Sequence, residues 1–403
     1  MAGIAASLLQ PLRRARFRRL AAANGLSLFA EYTQLVGLAG VAFATLHHAS
    51  AWAAVLLAQA LPQGLLLPIG GLAADRYGPL MVVAVTGAAQ AVLAAAMAQL
   101  AAGRGPAAWV PFAYAALLGA LMAFALPAFS AMVADVVPLA ETRGANSLLQ
   151  VVDNLTRFLG PVAAAVALPQ GGGLPFLLAA TAWGASAIAA LGTMGPPRHR
   201  PPPAGAGPLG AGLRALRQDP ILSALLPAVA IFALGYADAT YVGLPALATL
   251  AFGTGPSGTG TLYAASGVGA LIGALAVGAS RRISRPGTLG VGAAVAAGVA
   301  MGLVALAPSP TAALPALVAC GAAFSACLVL ALTLVQTRTP EPVRGRVLSL
   351  VILGFFGVYP LAYALAAVTA DALGPRGIVA AGAACMVVGG VAGLLRPALR
   401  AAG

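Results

Sequence analysis

The chain has 403 residues, 61% of them hydrophobic and only 8% charged, against roughly 25% charged in a soluble chain of ordinary composition. Its net charge of +13 comes wholly from arginine, because no lysine occurs. These arginines sit in connections between apolar stretches, so the basicity gives no reason to expect a nucleic-acid partner, and a soluble globular enzyme is excluded.

Twelve apolar stretches, each near the ~20 residues that cross a bilayer, fill the length: 20–45, 50–74, 79–102, 108–133, 144–168, 174–195, 220–249, 258–280, 287–307, 311–335, 345–370 and 374–396. They lack the alternation of barrel strands, so helices are the expected spanning form. The expected class is an all-α membrane protein with twelve transmembrane helices in two six-helix bundles, 1–195 and 220–403. The connection at 196–219 is rich in Pro and Arg, which predicts an extended linker. Nineteen arginines fall before the first span, in every second connection or at the C-terminus. Only Arg104 and Arg376 fall in the opposite connections. The positive-inside rule then predicts that both termini are cytoplasmic, in the cell membrane. Arg157 remains, inside a span.

In the first span Asn24, Ser27, Glu31 and Gln34 recur at spacings of three, four and three, which places them on one stripe of a helix. Glu31 lies roughly 16 Å along the axis from Leu20, near mid-membrane. An unpaired carboxylate there costs about 2.5–3.5 kcal/mol on insertion scales and is suited to taking up a proton; the alternative is a permanently protonated group that glues helices together. His47 and His48 follow in the first external connection as solvated histidines. Gln59 and Gln63 share a face of the second span.

The second and third spans are joined by Gly71-Leu72-Ala73-Ala74-Asp75-Arg76-Tyr77-Gly78. Gly71 suits a close helix approach, Asp75 can accept bonds from a helix N-terminus, and Gly78 suits a tight turn. On the fourth span Phe124 and Phe129 are candidates for an apolar cavity or for a lipid face. The fifth span carries a second stripe, Asn146, Gln150, Asp153 and Arg157, in which Asp153 and Arg157 form an i, i+4 pair with the acid first. That pair either neutralises itself or lets Arg157 exchange partners with Glu31.

In the second half Tyr236 and Asp238 lie near the expected outer end of the seventh span, Asp238 as a wet mouth residue, with Phe324 on the tenth. Cys320, Cys327 and Cys385 all lie within spans and give no disulfide framework. No phosphate-binding loop or metal-ligand spacing occurs, so neither an enzyme nor a cofactor is expected. An internal repeat is visible: Pro138–Gly144 before the fifth span matches Pro340–Gly345 before the eleventh, and each precedes a proline-containing helix, at Gly160-Pro161 and Tyr359-Pro360.

The turn from Gly71 to Gly78 resembles the signature of the major facilitator superfamily of secondary transporters. The run Phe17-Arg18-Arg19-Leu20 into Ser27–Glu31, Pro127-Ala128-Phe129, and Pro138 through Arg157-Phe158-Leu159-Gly160-Pro161 resemble its bacterial macrolide-efflux and enterobactin-exporter branch. Pro79-Leu80 stand where that family's turn continues with two basic residues. The resemblance implies alternating access, with proton-coupled efflux of an amphipathic small molecule. Glu31, Asp153 and Arg157 would couple protons, and Gly71, Asp75, Arg76 and Gly78 would form a gate. Asn24, Gln34, Gln150, Tyr236, Asp238 and Phe324 would line the cavity. The implied partners are a small-molecule substrate, protons and the lipid bilayer, with the chain a monomer. Uptake or facilitated diffusion without protons, and a non-transporting scaffold, stand as alternatives.

Overall fold

With no water in hydrocarbon to receive backbone N–H and C=O groups, an apolar span must satisfy them internally. The computed structural model describes residues 10–103, 105–138, 141–194, 218–280, 285–339, 347, 350–351 and 353–400, and every regular element among them is helical. The main helices are α1 (Ala15–Leu46), α2 (Ala49–Tyr77), α3 (Pro79–Ala102), α4 (Val110–Val136), α5 (Thr142–Ala167), α6 (Leu174–Leu191), α7 (Pro220–Ala237), α8 (Gly255–Ala279), α9 (Pro286–Leu306), α10 (Pro310–Arg338) and α11 (Tyr359–Leu394). After Ala237 the α7 rod continues through π-helical turns at Asp238–Gly243 and Leu247–Ala251.

Eleven helical stretches among the described residues are long and apolar enough to cross a membrane. The last of them, Leu353–Leu394, runs 42 residues, about twice what one crossing requires. It breaks at Gly374, whose φ of 68° and ψ of 169° are not helical, just before Pro375. The two arms supply the eleventh and twelfth crossings. Outward side chains such as Leu65, Val92, Ile188, Leu275 and Val368 are mostly exposed, as a lipid-facing surface requires. This is a multi-span helical membrane protein. The expected linker falls, except for residues 218–219, outside the described residues, as do Pro340–Gly345 and the side chain of Arg143.

The chain divides into two compact units, Met1–His47 with Ala54–Pro201, and His48–Ala53 with Pro202–Gly403. In the first, a Cβ on Gly70 would stand 2.1 Å from Ala123 O, and one on Gly119 would stand 2.0 Å from Gln59 O. The backbones of α2 and α4 therefore touch, an approach open only to glycine. The second unit repeats the device about 200 residues on, where Gly273 meets Ala322 O at 2.1 Å and Gly321 meets Ser266 O at 2.0 Å across α8 and α10. Gly71, expected to permit a close helix approach, has open space around its Cβ direction. The contact belongs to Gly70, one residue earlier, because a one-residue step rotates a helical position by about 100°. Gly78 keeps its expected turn, with φ 84° between α2 and α3.

Candidate functional site

The two polar stripes meet because α1 and α5 touch at small residues. A Cβ on Gly160 would stand 2.6 Å from Tyr32 Cβ, and one on Gly25 would stand 2.8 Å from Val152 Cγ1. Thr33 Oγ1 donates to Gly160 O at 3.2 Å as well as to Phe29 O in its own helix. Between these points Glu31 lies within electrostatic reach of Asp153 and Arg157. Arg157 Nη2 is 3.5 Å from Asp153 Oδ2, each side chain about a quarter exposed.

Asp153 is held from three directions. Besides Arg157, Gln150 Nε2 donates to Oδ2 at 3.2 Å and Tyr32 OH donates to Oδ1 at 3.3 Å. The Arg157 guanidinium carbon lies 5.1 Å from the Tyr32 ring centroid, within cation–π range. Tyr32 escaped the sequence reading because it stands one position off the Glu31 stripe. Only the packing of α1 on α5 brings its ring to Arg157. The resulting group is two acids, one base, an amide and a phenol, with Gln150 exposed and the rest half-buried.

Other expected site residues are distributed differently. Asn24 is half-buried on α1, whereas Gln34 is fully buried, and both polar atoms of its amide lack a hydrogen-bond partner among the described residues. Asp75 and Arg76 are exposed at the end of α2, with Arg76 Cζ 5.5 Å from the Tyr77 ring. The basic run at the start of α1 does more than mark a membrane side. Arg14 forms a two-point bond with Glu141 (Nε–Oε2 2.8 Å, Nη2–Oε1 2.7 Å) at the start of α5. Arg16 donates to Thr193 O at 2.9 Å and Arg19 to Gly192 O at 2.5 Å, satisfying carbonyls just past α6 where cations are favoured.

In the second unit Tyr236 and Phe324 do come together, as stacked rings 4.1 Å apart. They are 4% and 6% exposed, a packed pair and not the wall of an open cavity. Phe355, Tyr241 and Tyr359 extend the group, with ring centroids 5.7–6.4 Å apart. Asp238, expected as a wet mouth residue, is half-buried, with one carboxylate oxygen shut off from solvent and without a hydrogen-bond partner among the described residues. Arg376, beyond the Gly374 break, donates to Ala305 O and Ala307 O at 2.8 and 2.7 Å, closing the end of α9 as Arg16 and Arg19 close that of α6.

The sequence matches the Major Facilitator Superfamily over residues 20–358. The chain belongs to this family. It is therefore a transporter and not an enzyme. No curated protein matches the chain. Among solved structures, a bacterial homologue of the iron transporter ferroportin in an inward-facing state is similar, with TM-score 0.70 and 17% identity over 94% of this chain and 98% of that one. A bacterial homologue of the human lysosomal transporter Spinster aligns with TM-score 0.68 and 14% identity over 96% and 95%. The nucleoside transporter NupG aligns with TM-score 0.69 and 11% identity over 94% and 98%. At these identities the likeness is one of fold, and it spans nearly the whole facilitator.

Proposed function

We propose that this facilitator is a proton-coupled exporter of amphipathic small molecules in the cell membrane, with both termini cytoplasmic. The observation that supports this most is the placement of Glu31 within electrostatic reach of the Asp153–Arg157 pair in the first unit. A carrier that exchanges a proton for cargo requires a group whose charge changes and neighbours that respond to it. Glu31 is the proton carrier. When it is ionised Arg157 serves two acids; when it is neutral Arg157 is left to Asp153 alone. Tyr32 and Gln150 hold Asp153 in place during the change. Protonation thus changes how Arg157 on α5 is shared with Glu31 on α1, a local electrostatic event able to bias alternating access.

Export also agrees with the branch that residues 17–161 resemble, and a site with so few charges suits an amphipathic cargo. Asp75 and Arg76 belong to the gate at the α2–α3 turn. The test is efflux of labelled drugs and siderophores from vesicles carrying wild type or Glu31→Gln, with and without an uncoupler. Wild type should concentrate at least one compound against its gradient and lose that ability with the uncoupler, and Glu31→Gln should only equilibrate it. Persistent uncoupler-sensitive concentration by Glu31→Gln removes the proton carrier. Flux indifferent to the uncoupler in wild type supports the facilitated-diffusion reading instead.

A further inference from the structure

The arginines of the second unit are not used like those of the first. At the start of the chain Arg14, Arg16 and Arg19 are each taken up by a protein acceptor, in Glu141, Thr193 O and Gly192 O. In the second unit Arg285, Arg338, Arg396 and Arg400 are all exposed. The ion pairs among the described residues are Arg14–Glu141, His48–Asp371 and Arg157–Asp153, so none of the four enters one.

These four come from separate stretches of chain and are gathered at one end of the unit. Past α11 the chain forms a short helical segment, Pro397–Arg400. Its Leu399 is fully buried, in a cluster with Ile221 and Leu222 of α7, Val291 of α9, and Leu334 and Val335 of α10. Thr288 Oγ1 donates to Arg400 O at 2.9 Å and pins the segment to the first turn of α9. Arg396 and Arg400 therefore flank a buried anchor. Arg285 stands three residues before Thr288, and Arg338 about one helical turn beyond Leu334. The same end presents apolar surface. Close glycine approaches, Gly298 to Val387, Gly390 to Val295 and Gly393 to Val291, run α9 and α11 antiparallel. That register sets Leu289 and Leu395 at one level, and they are 53% and 73% exposed.

Negative charge is short here. Arg285 is the N-cap of α9 and makes no side-chain cap bond, so a cation stands at a helix terminus that favours an anion. The described acids of the unit are committed or distant. Asp219 Oδ1 accepts from Ile221 N and Leu222 N at 2.7 and 3.1 Å to cap α7. Asp238 follows the last residue of α7, roughly 28 Å along the helix from its cap, and Asp371 accepts from Ser50.

We infer that this end of the second unit binds an anionic glycerophospholipid, its phosphate held by Arg285, Arg338, Arg396 and Arg400 and its acyl chains lying against Leu289 and Leu395. Guanidinium forks match phosphate oxygens in two-point bonds, and basic clusters beside a membrane span draw acidic lipids. The exposed leucines at the level of the arginines favour a lipid over a free phosphate. Binding needs neither gradient nor cargo; the proposed orientation enters only in assigning the lipid to the cytoplasmic leaflet.

The test is native mass spectrometry of the full chain in detergent with equimolar phosphatidylglycerol and phosphatidylcholine of identical acyl chains. Wild type should retain the acidic lipid at least fivefold over the zwitterionic one. Arg396→Gln with Arg400→Gln should bring that ratio within twofold of unity. Arg13→Gln with Arg18→Gln removes the same charge from exposed arginines of the first unit and should leave the ratio at fivefold or more. No preference in wild type overturns the inference, and so does an equal loss in both pairs, which would make the attraction one of diffuse charge. Inorganic phosphate at tenfold excess over lipid should leave the lipid bound; its displacement would make this a soluble-anion site and overturn the lipid assignment. Should the Arg396 and Arg400 variant fail to fold, a photoactivatable phosphatidylglycerol on wild type decides. Cross-links within 285–291 or 394–400 are expected, and cross-links confined to other segments overturn the site.

Discussion

The two units are built on one frame and spend it on different chemistry. Both cross paired helices at backbone contact, α2 on α4 at Gly70 and Gly119, and α8 on α10 at Gly273 and Gly321. Both use arginine to close a helix C-terminus, at Gly192 and Thr193 in one and at Ala305 and Ala307 in the other. Yet the first unit pairs Asp153 with Arg157 and sets Glu31 within electrostatic reach of both, while in the second the half-buried Asp238 has one carboxylate oxygen shut off from solvent and without a hydrogen-bond partner among the described residues. The same glycine packing thus carries differently placed acids in the two units. Helix packing is common to the halves; compensation of charge is where they diverge.

The shared frame is the easiest part to break. Gly70→Ala and Gly273→Ala should each destabilise the protein by about 3 kcal/mol or more, since a Cβ would strike a neighbouring backbone. Gly71→Ala should stay within about 0.5 kcal/mol. Thermal unfolding in detergent measures all three, and a tolerant Gly273→Ala would show that the frames are not equivalent. The charge contrast comes next. Arg157→Ala strips Asp153 of its partner and should cost on the order of 1–3 kcal/mol, less than a fully buried pair because both groups are partly solvated.

Adding Asp153→Asn to Arg157→Ala should restore part of that stability, as a double-mutant cycle reads directly. Asp238→Asn should instead be neutral or stabilising by up to about 1 kcal/mol, because it removes an uncompensated charge. A stability loss there as large as that of Arg157→Ala would mean that Asp238 has a resident partner after all. The smallest effect belongs to the exposed cap on α2 in the second unit. Asp371 accepts from Ser50 N at 3.1 Å and from its hydroxyl, with His48 Nδ1 3.7 Å away. Asp371→Asn should cost about 0.2–1 kcal/mol, diminishing at high salt.

Much of this was legible in the sequence, for identifiable reasons. Spans announce themselves by length and apolarity, and the stripes on α1 and α5 announce themselves by helical spacing. The Gly78 turn follows from the need for positive φ. Burial state and register were not legible. Gln34 shares the Glu31 stripe yet is fully enclosed, because neighbouring helices, not the spacing, decide which part of a stripe is covered. Tyr32 became part of the site only through the approach of α5 at Gly160. The arginines at the start of α1 read as a topology signal, while their bonds to Glu141, Gly192 and Thr193 depend on partners over a hundred residues away.

Carriage of a proton and a cargo requires that the Asp153 neighbourhood meet water from each side of the membrane in turn. The most direct measurement is labelling of Gln150→Cys, with Cys320, Cys327 and Cys385 replaced, by a membrane-impermeant thiol reagent in right-side-out and inverted vesicles. Labelling from both sides, at rates that shift oppositely when a transported compound is added, is the expected result. A thiol that neither orientation reaches would mean that the stripe is sealed inside the bundle and carries nothing across.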